Sequence, residues 1–284
     1  MEIYKKLESE FAKFAGKKYA VAVNSGTAAL HLALLAMGVG KGDEVIVPDL
    51  TYVACAFAVT YTGAKPIFVD CDDTLNMDPN LIEAKITKRT KVIMAVHLYG
   101  RKCDMKKIMA IAKRHNLKVL EDVSEAHGIK LSNSEVAIYS LQNSKIINSQ
   151  EGGILVTNNK KIVEKVVHMK GLSNDGKYFH DVIGFNYRMP NATAELALKS
   201  LREFPKNSKK RMEEAIARDY DCDAAWVTVL ICRSEKIRDL CIKENPKCRC
   251  LFKPMTTLPM YRKQKVGKKA FHFSKVGLVI PIVV

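Results

Sequence analysis

Apolar residues recur along this chain with two periods, and the two alternate. Ile3, Leu7, Phe11 and Phe14 share one face of a helix, and Gly16 closes the segment. A five-residue apolar run, 19–23, follows and meets Asn24-Ser25-Gly26, the pattern of a buried strand entering a turn. Residues 27–37 are rich in Ala and Leu and stop at Gly38, as a helix with a C-terminal glycine does. The same sequence of signals predicts strands at 44–47, 66–69, 92–97 and 118–122. Helices are predicted at 52–60, 79–86 and 105–115, with Asp78 as a cap and Pro79 in the first turn. Strands at 136–140 and 153–157 come next, then helices at 161–169 and 192–204. Apolar strands alternating with amphipathic helices require an α/β fold, a mostly parallel sheet flanked by helices on both faces. Beyond Pro205 the pattern changes to a basic, linker-like stretch and then to mixed apolar segments rich in Cys and Lys. Two parts are expected: a large α/β domain over 1–205 and a smaller, shortened α+β part over 206–284.

Composition narrows the class. With 48% hydrophobic and 27% charged residues in 284, the chain has an ordinary globular make-up. No apolar run reaches the roughly 18 residues of a membrane helix, and the nearest, Leu278 to Val284, is interrupted by Pro281. The first residues show no basic-then-apolar leader, so a cytoplasmic location is expected. Eight scattered cysteines form no C-x-x-C pair, which predicts free thiols and no metal site, even at Cys241, Cys248 and Cys250. A formal charge of +16 favours anionic substrates, yet the basic residues are spread and no nucleic-acid motif accompanies them. Solvated basic faces are expected, not a nucleic-acid surface.

In an open α/β sheet the residues just after each strand are the ones that meet a ligand. Asn24-Ser25-Gly26-Thr27-Ala28 is a small turn feeding a helix N-terminus, a seat for a phosphate, though neither a dinucleotide fingerprint nor a Walker loop. Glu121 and Asp122 close an apolar strand, where a carboxylate is costly without a partner. From residue type alone, a structural cap or ion pair and a carboxylate aimed at a cationic heterocycle both remain open. After the next strand, Lys145 lies among small polar residues ahead of Glu151-Gly152-Gly153. A phosphate seat, an acid and a lysine at the ends of one sheet are what pyridoxal phosphate needs: an anchor, a partner for its ring nitrogen and an amine for the Schiff base.

Several motifs in order carry a more specific signal: residues 19–30, Asp43-Glu44-Val45-Ile46-Val47-Pro48, Val96-His97-Leu98-Tyr99-Gly100, Glu121-Asp122, Glu151-Gly152-Gly153 and Gly184-Phe185-Asn186-Tyr187-Arg188. From residue 1 to about 204 the chain resembles the DegT/DnrJ/EryC/StrS sugar aminotransferases, fold type I pyridoxal-phosphate enzymes, and 180–189 is most similar to their perosamine-synthetase branch, which aminates GDP-4-keto-6-deoxymannose. The resemblance implies ping-pong transfer of an amino group from L-glutamate to a nucleotide-linked keto-deoxysugar. It implies that Lys145 forms the Schiff base and moves the proton, and that Asp122 pairs with the pyridinium nitrogen. Gly26, Thr27 and Ser140 would hold the phosphate, Tyr52 would stack on the ring, and Glu125 would lie near its hydroxyl. Asn186 would reach the cofactor of a partner subunit in a homodimer, and His180 and Arg188 would touch substrate. The chain also departs from the family: it is expected to be short at both ends and between Gly128 and Val136, and it carries Gln142, Asn143 and Gln150 where aromatic and glycine residues are usual. These departures keep a second reading alongside the first, a catalytically inactive relative that binds cofactor or serves as an interaction protein.

Overall fold

In the computed structural model, which describes residues 2–282, seven apolar runs pair into one sheet. They are β1 (Tyr19–Val23), β2 (Glu44–Pro48), β3 (Lys65–Val69), β4 (Thr90–Val96), β5 (Lys118–Asp122), β6 (Val136–Ser140) and β7 (Gly153–Thr157), in the order β1-β7-β6-β5-β4-β2-β3. Only β7 runs against its neighbours; the other pairings are parallel. Every residue of β2 and β7 is buried, as a sheet covered on both faces demands. The covering helices are α1 (Ile3–Ala15), α2 (Gly26–Ala36), α3 (Val53–Tyr61), α4 (Met105–Arg114), α5 (Lys160–Lys170) and α6 (Asn191–Ala217). Gly16 takes the left-handed conformation that ends α1, φ 63°.

Two expectations need correction. Residues 79–86 form two short 3-10 turns, Pro79–Leu81 and Glu83–Lys85, and not one helix. Pro79 and Ile82 are the only fully buried side chains there, too narrow an apolar face to hold a continuous helix. The larger correction concerns Pro205. It lies inside α6, which runs on to Ala217, so the basic stretch after it is helix and not linker. The missing N–H of Pro205 is outweighed by what the following turns grip. Ala215 is buried, Arg211 donates to the carbonyls of Trp226 and Ile282, and Arg218 donates to that of Pro281.

The remaining elements are β8 (Val227–Ile231), α7 (Glu235–Glu244), β9 (Arg249–Cys250), α8 (Lys268–Val276) and β10 (Gly277–Pro281). Here β10 lies between β8 and β9 in an antiparallel three-stranded sheet. The last two residues of the apolar run 278–284 lie outside the described residues. Trp226, Val229, Leu251 and Val279 join the same buried cluster as α2, α3 and the large sheet. The segment leading into β8 is tied to the turn after β4 at Gly100, whose carbonyl accepts from the N–H groups of Asp223 and Ala224. Its φ of 82° and the Ala224 carbonyl against its Cα leave no room for a side chain. Among the described residues no helix is long and apolar enough to cross a membrane, and no group of His, Cys, Asp or Glu is placed to hold a metal. All eight cysteines are unpaired.

Candidate active site

Strand register brings the chemistry to one end of the large sheet. Gly153 opposes Val23 on one side and Ser140 on the other, so the turns that follow β1 and β6 meet there. Ser25 caps α2, its hydroxyl accepting from the Ala28 N–H at 3.1 Å. Gly26 and Thr27 then supply first-turn N–H groups with no partner inside the helix, beside the positive end of its dipole. A methyl on Gly26 would sit 2.8 Å from the Ser140 Cβ, so only glycine lets the helix start abut β6. The result is a helix N-terminus packed against Ser140, an arrangement of the kind that holds anions at helix starts.

Glu121 and Asp122 end β5 and, by strand alternation, face opposite ways. Glu121 is fully enclosed by donors: His97 Nε2 at 3.1 Å, the Ser132 hydroxyl at 2.7 Å and the Ser134 hydroxyl at 2.5 Å. Burial alone would raise its pKa, but His97 and the two serines outweigh it and bring the carboxyl down to about 2. Asp122 is also buried, with fewer partners. One oxygen accepts from the Ser124 N–H at 2.9 Å and the other from the Cys55 thiol at 3.3 Å, which in turn accepts from the Thr51 hydroxyl. Three residues on, Glu125 accepts from the Tyr99 N–H at 2.9 Å and faces Lys145, 3.6 Å away.

Lys145 stands on the turn after β6. Its N–H donates to the Gln142 carbonyl, and the next turn is pinned where the Ile147 N–H donates to His127 Nδ1 at 3.1 Å. Only 12% of its side chain is exposed. Burial pulls the amine's pKa below the usual lysine value, and Arg249 adds to this against the raising effect of Glu125 and Asp122. Burial also raises the Glu125 carboxyl, so both partners lean toward neutrality. His127 is held neutral, at about 3, by burial and by Lys145. The turn ends at Gln150, whose φ of 68° is a left-handed conformation that favours glycine.

Gly26, Thr27, Ser140, Asp122, Glu125 and Lys145 therefore gather around the ends of β1, β5 and β6. Tyr52 starts α3, the helix whose Cys55 touches Asp122, and its half-exposed ring lies 5.5 Å from that of Phe252. His180, Asn186 and Arg188 lie on the exposed loop 171–188; Asn186 and Arg188 sit against the end of β1, beside the turn into α2, and His180 stands apart. His180 Nδ1 is engaged by the Leu172 carbonyl at 2.7 Å, Asn186 accepts from the Asn24 side chain, and Arg188 bridges Val23. Sequence reasoning missed three neighbours of the reactive groups. Cys55 holds Asp122, Tyr99 holds Glu125, and Trp226 comes from the far sheet to lie 3.9 Å, ring centroid to Nζ, from Lys145. Spacing carried no signal for Trp226, 81 residues downstream of the lysine.

A mostly parallel sheet with a helix N-terminus, a buried acid and a desolvated lysine brought to one end is the frame of a lysine-centred α/β enzyme. The chain belongs to the DegT/DnrJ/EryC1/StrS aminotransferase family, whose model matches residues 2–222. It is 40% identical over 283 residues to a GDP-perosamine synthase of Escherichia coli O157:H7, covering 90% of this chain and 78% of that one. Against a GDP-perosamine synthase of Caulobacter vibrioides it is 49% identical over 203 residues, 68% of this chain and 55% of that one. The X-ray structure of S. venezuelae DesV superposes with a TM-score of 0.90 at 30% identity, over 99% of this chain and 84% of that one.

Proposed function

We propose that this protein is a pyridoxal-phosphate-dependent aminotransferase that moves an amino group from L-glutamate to a nucleotide-linked 4-keto-6-deoxyhexose, with GDP-4-keto-6-deoxymannose as acceptor. The observation that carries the proposal is Lys145, a desolvated amine beside Glu125 and Asp122, in a chain with three GDP-perosamine synthases among its relatives, at 40%, 49% and 34% identity, beside a UDP-sugar aminotransferase at 43%. The residues present fit the cofactor. Gly26, Thr27 and Ser140 would hold its phosphate, Asp122 its ring nitrogen, Glu125 its ring hydroxyl and Tyr52 its ring face. When bound, pyridoxal phosphate supplies an electron-withdrawing ring that takes up charge from the carbon being deprotonated.

The chain's own residues supply the rest. A free-base amine is needed to accept a proton, and the burial of Lys145 favours the free base. Glu125 stands within reach to balance the ammonium once that proton is held. Asp122 keeps one fixed orientation because Ser124 and Cys55 each engage one of its oxygens. We further propose a cytoplasmic homodimer. The loop 171–188 presents Tyr178, Phe179 and Ile183, all strongly exposed, an apolar surface that a second copy would cover. In that dimer Asn186 would reach the partner's phosphate, and His180 and Arg188 would touch the sugar nucleotide. No membrane, nucleic-acid or metal partner is invoked.

The test is the visible spectrum of the purified protein mixed with pyridoxal phosphate, before and after L-glutamate. We expect a near-visible band that glutamate removes and that Lys145→Ala never shows. A band that ignores glutamate would mark a binding-only relative, and no band would overturn the reading. Sedimentation gives the oligomeric state independently.

A further inference from the structure

The chain has a single tryptophan, Trp226, at the entry to β8, and only 4% of it is exposed. Its surroundings differ from those of a residue that merely fills space. The indole N–H donates to the carbonyl of Ser144 at 2.7 Å, the residue immediately before Lys145. The indole ring lies 3.9 Å from the lysine Nζ. Tyr99 stacks on it with rings 5° from parallel and centroids 6.5 Å apart, and Tyr99 also donates its N–H to Glu125, the carboxylate facing that lysine. The backbone is anchored as well, since Arg211 donates to the Trp226 carbonyl. One aromatic stack thus grips the turn that carries Lys145 and the carboxylate that partners it.

We propose that Trp226 is a positioning residue for Lys145: the indole from the small sheet closes over the amine and fixes the turn that presents it. The charged groups acting on that amine are Glu125, Asp122 and Arg249, and the Arg249 guanidinium lies 5.5 Å from the same indole. An aromatic face attracts an ammonium without hydrating it. The amine is therefore held in place while water is kept from it, and either protonation state has a fixed position. Because the residue comes from beyond α6, the small sheet is part of the site and not an appendage to it.

This inference rests on the proposed function only for Lys145 being the reactive amine, and its test needs no cofactor. The full chain, free of cofactor, is reductively methylated with formaldehyde and cyanoborohydride, and the extent at each lysine is read by peptide mass spectrometry. The parent is compared with Trp226→Leu and Trp226→Phe. Lys170 is the internal control for folding. It too is largely buried, donating to the Ala22 carbonyl at 2.9 Å and facing Glu8 at 3.4 Å. We expect methylation of Lys145 to rise about tenfold in Trp226→Leu and less in Trp226→Phe, with Lys170 unchanged in both. An unchanged Lys145 overturns the proposal, and so does a rise matched at Lys170 in both variants, which would make Trp226 a general core residue. Absence of the pyridoxal-phosphate band in the parent would strike the aminotransferase reading alone and leave this result standing.

Discussion

Glu121 and Asp122 are joined by one peptide bond, yet they face opposite sides of β5 and lead different lives. On one side His97, Ser132 and Ser134 surround Glu121 completely, and the carboxylate is a fastener between β4, β5 and the loop that follows. On the other side Asp122 has one donor per oxygen, one of them a weak thiol donor, and lies close enough to Glu125 and Lys145 to act on the charge of both. A buried acid with every lone pair answered holds a fold together. A buried acid with capacity to spare can bind something else.

That contrast is broken most directly at Glu121. Replacing it with Ala leaves His97 and Ser134 buried, and Ser132 half-buried, without their acceptor, and we expect a loss of about 3–5 kcal/mol in urea unfolding. Activity per folded molecule should stay within a few-fold of the parent. A variant that keeps its stability but loses its chemistry would show that the two acids do not divide the work this way. The same carboxylate sets an acid limit. Its pKa in the fold, about 2, lies below the ordinary 4.5, so its contribution is complete above pH 4.5 and disappears as pH falls through 4.5 toward 2. A shift of that size corresponds to about 3 kcal/mol, visible as a fall in the urea midpoint across that window that is larger in the parent than in Glu121→Ala, where Glu44 and the other paired acids still titrate.

Asp122→Asn probes the other side. The amide keeps the size of the acid and can still accept from Ser124, so stability should change by less than about 1 kcal/mol. Transamination should fall on the order of 100-fold, because a charge-assisted hydrogen bond to a cationic ring is worth roughly 1.5–3 kcal/mol. Steady-state rates with glutamate and keto-sugar, set beside urea curves, test both halves. A large loss of stability with intact kinetics would make Asp122 a second fastener.

How legible this was depended on distance along the chain. The strands β1, β5, β6 and β7 could be read to the residue because each is a short apolar run between turn residues, and local pattern decides local structure. The lysine turn and the helix start were legible because strand ends are where ligands meet such sheets. Glu121 stayed ambiguous because its partners lie 24, 11 and 13 residues away, and residue type does not say which side of a strand is satisfied. Trp226 and Cys55 gave no local signal at all. Their contacts with Lys145 and Asp122 exist only once two sheets and a helix have packed. Pro205 misled for the opposite reason: its local signal was strong, and anchoring of Arg211 and Arg218 to the C-terminal strand overrode it.

The smallest effect is expected at the far end of the lysine turn, where the functional side of the contrast carries strain that the fastened side does not. Gln150 is exposed and holds φ at 68°, while its carbonyl accepts from the Asn143 N–H at 2.9 Å. A non-glycine residue pays about 1–2 kcal/mol for that conformation, and glycine does not. Part of the gain from Gln150→Gly is returned through the greater freedom of glycine in the unfolded chain. The net expectation is a stabilisation of about 0.5–1 kcal/mol in urea unfolding, with the Asn143 hydrogen bond retained because it uses backbone only. Methylation of Lys145 should not change, since Ser144 and Ile147 anchor the lysine through Trp226 and His127 upstream of the strained residue. A rise in Lys145 reactivity would instead mean that the strain at Gln150 helps set the lysine, and that the open side of the site is held under tension by its own turn.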